Sequence, residues 1–155
     1  MPIKITTNLT SISNLTKRVR KAFNREIADG VLGKQIIESI RELIQKGISP
    51  VEGYGRFQRY SQSYRTAIKE RRVPPKTKVS PVNLTKSGAM LKSLVALDKG
   101  GKLILQFENE VASYHQKGTR YLPIRKLFPT GNERFSNRVT QKIKLALRRA
   151  VRKSK

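Results

Sequence analysis

A single histidine is the side chain in this sequence best suited to general-base chemistry at neutral pH. The 155-residue chain has one His and no Cys, which excludes thiol nucleophiles, disulfides and cysteine-ligated zinc. His115 stands in the segment Tyr114-His115-Gln116-Lys117-Gly118, and neither a catalytic pair of acids nor a known catalytic motif accompanies it. We therefore interpret His115 as a hydrogen-bonded structural residue beside a turn, with a hydrolase that uses it as the alternative. We expect no enzymatic activity, no catalytic residues, no metal and no cofactor.

A run of basic residues at the C-terminus is the second feature that could do chemistry. No acid follows Glu133, and the cations after it are Arg134, Arg138, Lys142, Lys144, Arg148, Arg149, Arg152, Lys153 and Lys155. Phosphates or an acidic protein surface would relieve the mutual repulsion of such a run. We predict that DNA or an acidic partner contacts Arg148, Arg149, Arg152 and Lys153. The alternative is a solvated helix face that only keeps the protein soluble.

Aromatic and arginine side chains concentrate in one short segment, namely Tyr54, Arg56, Phe57, Arg59, Tyr60, Tyr64 and Arg65. This composition is typical of protein–protein hot spots and of platforms that stack single-stranded nucleic acid. The alternative is that the rings cover the domain's own core beneath a long loop. We predict a subunit or partner interface formed by Tyr54, Arg56, Phe57, Tyr60 and Tyr64.

The net charge restricts the class of partner. The sequence has 34 Lys and Arg against 10 Asp and Glu, a formal charge of +24, which attracts nucleic acid, anionic membranes or acidic proteins. No apolar run approaches the roughly 20 residues of a membrane span, and the first residues lack the features of a signal peptide. We expect a soluble protein that is not exported by that route and has no membrane partner.

Apolar spacing predicts the elements that position these residues. Between residues 14 and 46 apolar side chains recur every three or four positions, with a break or kink at Asp29-Gly30 and a stop at Gly47, as expected of helices with one buried stripe. Residues 48–82 lose this period, apart from a short helix near residues 62–71. We predict that residues 48–82 form an extended arm or loop, largely outside the subunit's own core over residues 50–80.

A β-hairpin is predicted within residues 90–129. Two apolar runs, Leu91–Leu97 and Leu103–Phe107, flank Asp98-Lys99-Gly100-Gly101, a typical turn sequence. On the first strand Leu91, Ser93, Val95 and Leu97 would share a face, and on the second Leu103, Leu105 and Phe107 would do so. A helical turn over residues 111–116 should follow and end at Gly118.

A basic helix is predicted over residues 132–153. Thr130-Gly131-Asn132-Glu133 matches the capping box, and the expected buried stripe is Phe135, Val139, Ile143 and Leu147. The whole chain then reads as one α+β domain. N-terminal helices and the C-terminal basic helix would pack on a small antiparallel, hairpin-based sheet, with a long central arm or loop.

Three stretches, in the same order along the chain, resemble sequence patterns of a known family. They are Gly47–Gly53 with Arg56-Phe57, Tyr60 and Tyr64 ("GxSPxxG…Y"), then Val82–Leu94 ("LTxxGxMLxSL"), and then Ala112–Thr119 with Leu122–Pro129 ("YAxxHQxGT…PxRxF"). Together they span residues 47–129. The set resembles the small neck and tail-completion proteins of tailed bacteriophages, which are grouped with the phage virion-morphogenesis and putative tail-component families.

The resemblance implies a structural virion protein without enzymatic activity. Such a subunit forms a ring of six or twelve copies that joins the portal-containing head to the tail. The implied partners are other copies of the chain, portal or adaptor proteins, tail-tube or tail-terminator proteins, and passing genomic DNA. The implied location is the neck or tail region of the virion, after assembly in the host cytoplasm.

The resemblance also makes His115, Gln116 and Gly118 structural members of a turn. The strong positive charge after Arg134 departs from the family pattern. The alternative function is therefore a nucleic-acid-binding protein that uses its basic helices on phosphates.

Overall fold

The computed structural model describes residues 4–7, 21, 24–25, 30–74, 77–100 and 102–153. Its strands and helices, in chain order, are β1 (Lys4–Thr7), α1 (Val31–Gln45), α2 (Gln62–Lys69), α3 (Ala89–Lys92), β2 (Leu94–Asp98), β3 (Leu103–Phe107), α4 (Val111–Lys117) and α5 (Asn137–Lys153). The predicted α+β class is confirmed. The N-terminal helix stripe predicted at Leu15, Val19, Ala22, Phe23 and Ile27 lies outside the described residues.

The sheet has the strand order β1-β3-β2, and both pairs are antiparallel. On the central strand β3, Leu103, Leu105 and Phe107 are buried and alternate with partly exposed residues, as the sequence predicted. On the other side of the turn the prediction was wrong. Leu91 belongs to the short helix α3, and β2 begins only at Leu94. The Ser93 hydroxyl bonds back to the Met90 carbonyl (2.8 Å), which closes this helical turn.

Helix α1 covers the sheet with the apolar stripe that its sequence predicted. The stripe consists of Leu32, Ile36, Ile37, Ile40, Leu43 and Ile44, all buried. Gly33 lies on the same side, where a Cβ atom would come within 2.7 Å of the Ala96 Cβ on β2. Arg41 fixes the helix further, because its guanidinium donates to the carbonyl oxygens of Leu91 (2.8 Å) and Leu94 (3.0 Å).

The segment between α1 and α3 is a long loop that packs on the core rather than an arm that projects from it. The short helix α2 lies within the predicted range. The prediction that residues 50–80 stay largely outside the core is wrong at Val51 and Phe57, which are buried. The Phe57 backbone N–H donates to the Gly47 carbonyl (2.8 Å), and Val51 forms a bridge with Phe135. These long-range bonds anchor the loop.

Helix α5 begins at Asn137 rather than at residue 132. Thr130 and Glu133 do pair, but as a closed turn in which the Glu133 carboxylate accepts from the Thr130 N–H (2.8 Å). Phe135 then bridges Val51, and this pairing requires extended backbone. The helix packs on α1 through Val139 and Ala146, with Ile143 partly buried. The predicted Leu147 side chain lies outside the described part.

Candidate functional site

Helix α4 and the loop after it form the best-defined site in the described chain. The helix ends at Gly118, whose φ of 72° is left-handed. A Cβ atom there would meet Ile124 Cγ1 at 2.8 Å and the Leu122 carbonyl at 3.1 Å, so glycine alone permits the loop to fold back. The return is closed by the Thr119 N–H, which donates to the Leu122 carbonyl (2.9 Å).

Gln116 fastens this loop to the helix. Its buried amide donates to the Phe128 carbonyl (2.7 Å), and its Oε1 accepts from the Leu127 (2.8 Å) and Phe128 (3.0 Å) N–H groups. Three backbone groups that would otherwise be buried without partners are satisfied by one side chain. Gln116 and Gly118 thus hold the turn together, in the position that the resemblance implied for them.

Arg125 is the buried cation of the site, with only 2% of its surface exposed. Its Nη2 donates to the Gln58 carbonyl (3.2 Å), its Nη1 lies 3.4 Å from His115 Nδ1, and its guanidinium carbon lies 5.2 Å from the Tyr60 ring centre. Over the described ranges, Nε has no hydrogen-bond partner and no carboxylate forms an ion pair with the group. Burial lowers the pKa of Arg125, although arginine stays protonated in proteins.

His115 belongs to the same cluster. Its carbonyl accepts from the Arg125 N–H (2.7 Å). Burial, followed by the charge of Arg125, lowers the pKa of His115 to about 4. The ring is therefore neutral at pH 7, and its Nδ1 accepts from Arg125, which assigns the proton to Nε2. In the part of the chain that the structure describes, no carboxylate hydrogen-bonds to this ring, so the arrangement of a base oriented by an acid is missing there.

A cavity of about 440 Å³ opens beside these two residues. We call it the aromatic cavity; its lining includes Tyr60, Tyr64, Leu84, Met90, His115, Tyr121, Leu122 and Arg125. The Tyr60 and Tyr64 rings meet edge to face, 4.9 Å apart between centres. The Tyr60 hydroxyl accepts a hydrogen bond from the Leu84 N–H (3.2 Å). This bond connects the segment before α2 to the loop before α3. The cavity thus has apolar walls and one buried cation.

The five predicted interface residues do not form one surface. Phe57 lies in the core with 9% of its surface exposed, and this burial corrects its assignment to an interface. Tyr60 and Tyr64 line the aromatic cavity, whereas Tyr54 and Arg56 are exposed. Tyr54 instead donates a hydrogen bond to the Glu133 carboxylate, which, together with the Thr130 N–H, lowers the pKa of Glu133 to about 2.

Large apolar side chains are exposed on α4 and on the loop after it, and two of them, Val111 and Tyr121, also line the aromatic cavity. We call Val111, Tyr114, Tyr121 and Ile124 the apolar patch; Tyr121 is 82% exposed. Val111 and Tyr114 share a face of α4, while Tyr121 and Ile124 belong to the loop that folds back on it. Sequence reasoning missed this patch, because the exposure of these side chains depends on how α4 and the loop after it pack on the rest of the domain. Clustered exposed apolar side chains commonly mark an interaction site.

The predicted basic contact residues on α5 also separate. Arg148 and Arg152 are exposed, but Arg149 is partly buried and its Nη2 donates to Gln35 Oε1 on α1 (2.8 Å). Arg149 thus joins two helices, which corrects its predicted place on the partner-facing side. The Lys153 side chain lies outside the described part.

Lys144, rather than Arg149, lies in line with the exposed Arg148 and Arg152 on α5. Lys144, Arg148 and Arg152 are four residues apart on one helix face, opposite Val139 and Ala146, and we call them the basic face. None of the three forms a hydrogen bond or ion pair with another described residue. Within the described part of the chain, these three cations are therefore the candidates on α5 for contact with an anionic partner.

Within the described ranges, no helix is long and apolar enough to cross a membrane, and no cluster of acidic or histidine side chains has the composition of a metal site. Comparison of the chain with protein-family models, curated proteins and solved structures gave no match.

Proposed function

We propose that the chain is a structural subunit of a neck or tail-completion ring, which joins the portal-containing head of a tailed bacteriophage to its tail. The observation that carries the proposal is the apolar patch. It lies within residues 111–124, which overlap the third stretch of the family resemblance, and its exposed side chains need a partner surface. In a ring the partner is a neighbouring copy or the next protein along the neck.

The surroundings of His115 favour this structural role over hydrolysis. A general base needs a substrate proton within reach and a pKa near the operating pH. His115 has a pKa of about 4 and uses its Nδ1 lone pair on Arg125. Gln116 and Gly118, its neighbours, hold the loop that presents the apolar patch.

Removal of the patch tests the proposal. The change Tyr121→Ser with Ile124→Ser deletes two exposed side chains whose loss should spare the fold. The matched control is Leu145→Ser on α5, an apolar side chain that is 48% exposed, as Tyr114 is. Oligomeric state is measured by analytical ultracentrifugation and negative-stain electron microscopy.

We expect rings for the parent chain and the control, and smaller species for the patch variant with an unchanged melting temperature. A parent chain that remains monomeric across the concentration range would contradict ring formation. Rings of undiminished yield from the patch variant would contradict the role of the patch.

A nucleic-acid-binding protein is the second candidate, and the basic face favours it. Three cations without described partners follow one line on α5, which suits phosphate contact without base readout. The two candidates are compatible, since a ring that admits a genome can present basic side chains to it.

A further inference from the structure

The aromatic cavity combines apolar walls with the buried guanidinium of Arg125, and no described residue supplies a counter-charge to that guanidinium. A buried cation is costly unless a counter-charge or a full set of hydrogen bonds compensates it. Arg125 has neither within the described residues, because its contacts are one carbonyl, one imidazole nitrogen and one ring face. Nε, which is buried, has no hydrogen-bond partner among the described residues.

We propose that the aromatic cavity is a binding site for a carboxylate carried on an apolar group. A guanidinium has five N–H donors, and the contacts to Gln58 and His115 use two of them, so Arg125, which lines the cavity, keeps three donors without a partner among the described residues. A carboxylate would accept from them with charge-assisted bonds, in the planar geometry that suits a guanidinium. It would also neutralise the buried charge.

The walls define the rest of the ligand. Leu84, Met90, Val111, Leu122 and Pro123 line the cavity beside the two tyrosine rings. Sites that hold small ligands or anchoring side chains usually have volumes of about 300–1,000 Å³ and mostly apolar linings, and a cavity of about 440 Å³ falls within this range. An aromatic or branched aliphatic group would pack against these walls and occupy part of the cavity.

The charges in the cavity favour a carboxylate over a phosphate. Arg125 is the only buried cation among the lining residues, His115 is neutral at pH 7, and Lys86 at the rim is exposed. A doubly charged phosphate calls for more buried donors than one guanidinium offers. The carboxylate has two possible sources, a free organic acid or an acidic side chain next to an apolar one in a partner polypeptide, and both present the same chemistry.

Binding to the full chain tests the proposal directly and does not depend on ring assembly. The probes are hydrocinnamate and its neutral amide, which differ only in the carboxylate. Titration calorimetry gives affinities, and the Arg125 Nε–H signal in nitrogen-edited NMR reports the contact. We expect the acid to bind about tenfold or more tightly than the amide, as charge-assisted hydrogen bonds require, and to shift the Nε–H signal.

Two variants locate the site. Arg125→Met keeps volume but removes the charge, and we expect it to reduce acid binding to the level of the amide. Arg56→Met, which removes an exposed arginine, is the control and should bind as the parent does. Because Arg125→Met removes contacts that support the fold, Leu122→Trp serves as a second variant that fills the cavity from its rim and should block the acid.

Equal binding of acid and amide, or undiminished binding by a folded Arg125→Met and by Leu122→Trp, would overturn the proposal. Displacement of hydrocinnamate by equimolar inorganic phosphate would overturn the choice of carboxylate. A blocked peptide containing Phe-Glu distinguishes the sources. Tighter binding of the peptide supports a polypeptide partner, whereas tighter binding of the free acid supports a small molecule.

Discussion

Arg125 joins segments that lie far apart in the sequence. Its side chain meets the Gln58 carbonyl and the Tyr60 ring from the long loop, and both its backbone and its guanidinium meet His115 on α4. Arg125 belongs to the stretch Leu122–Pro129 on which the family resemblance rests, but nothing in that stretch predicts its burial in a chain rich in cations. The resemblance implied a structural role for Gln116, whereas the burial of Arg125 depends on a contact with Gln58, 67 positions earlier in the sequence.

The ionisation of His115 should make the folded chain sensitive to mild acid. Its folded pKa of about 4 lies below the ordinary value of 6.5, so the unfolded chain binds the extra proton as the pH falls from 6.5 toward 4. Stability is therefore retained above pH 6.5 and lost below it. Linkage between these two pKa values predicts that the free energy of unfolding falls by about 2 kcal/mol between pH 7 and pH 5. Urea unfolding at both pH values measures it.

The control for this prediction is His115→Gln, which keeps polar contacts but does not titrate. We expect its free energy of unfolding to change much less than that of the parent between pH 7 and pH 5. If parent and variant lose the same stability over this interval, His115 is not the group responsible.

At the scale of elements, the close approach of α1 to strand β2 depends on Gly33, which has no side chain. A methyl group at this position would approach the Ala96 Cβ to 2.7 Å, and the helix would have to move away from β2. Gly33→Ala gains helix propensity, but overpacking should outweigh it and destabilise the fold by about 1–3 kcal/mol. Chemical denaturation of the variant measures the cost.

Ala96→Gly provides the matched rescue, because it removes the methyl group that Gly33→Ala would meet. We expect the double variant to be more stable than the sum of the single changes by about 1 kcal/mol, as for residues in direct contact. Additive free energies would mean that the two positions do not touch, and would contradict this packing of α1 on β2.

Apolar spacing in the sequence predicted correctly those features that depend on residues within a single helix or strand. The stripe of α1 and the alternation along β3 follow from apolar spacing within one element, and both are confirmed. The pairing of β1 with β3, the anchoring of the long loop and the late start of α5 all depend on partners distant in sequence. Phe135 illustrates the reason, because its bridge to Val51 overrides the helical start that Thr130 and Glu133 suggested.

At the scale of the whole molecule, the excess positive charge is distributed unevenly. Two acids are already engaged within the fold, since Glu42 pairs with Lys46 and Arg138, and Glu133 with Lys126. These pairs leave the basic face of α5 uncompensated among the described residues. Its cations and the apolar patch lie on different elements, so the charge and the apolar surface can be changed separately.

Neutralising the basic face tests whether that charge meets an anion. The triple change Lys144→Gln, Arg148→Gln and Arg152→Gln removes exposed cations without described partners, so the melting temperature should stay unchanged. If all three contact phosphates, the slope of log affinity against log salt for duplex DNA should fall by up to about 2.7, at 0.9 for each contact. Fluorescence anisotropy between about 50 and 200 mM salt measures it.

The matched control neutralises Arg56, Arg59 and Lys69, which are exposed elsewhere, and should keep the parent's slope if the contact is local to α5. An equal reduction in both variants would indicate nonspecific attraction by the net charge. An unchanged slope and affinity in the α5 variant would mean that the basic face only keeps the protein soluble.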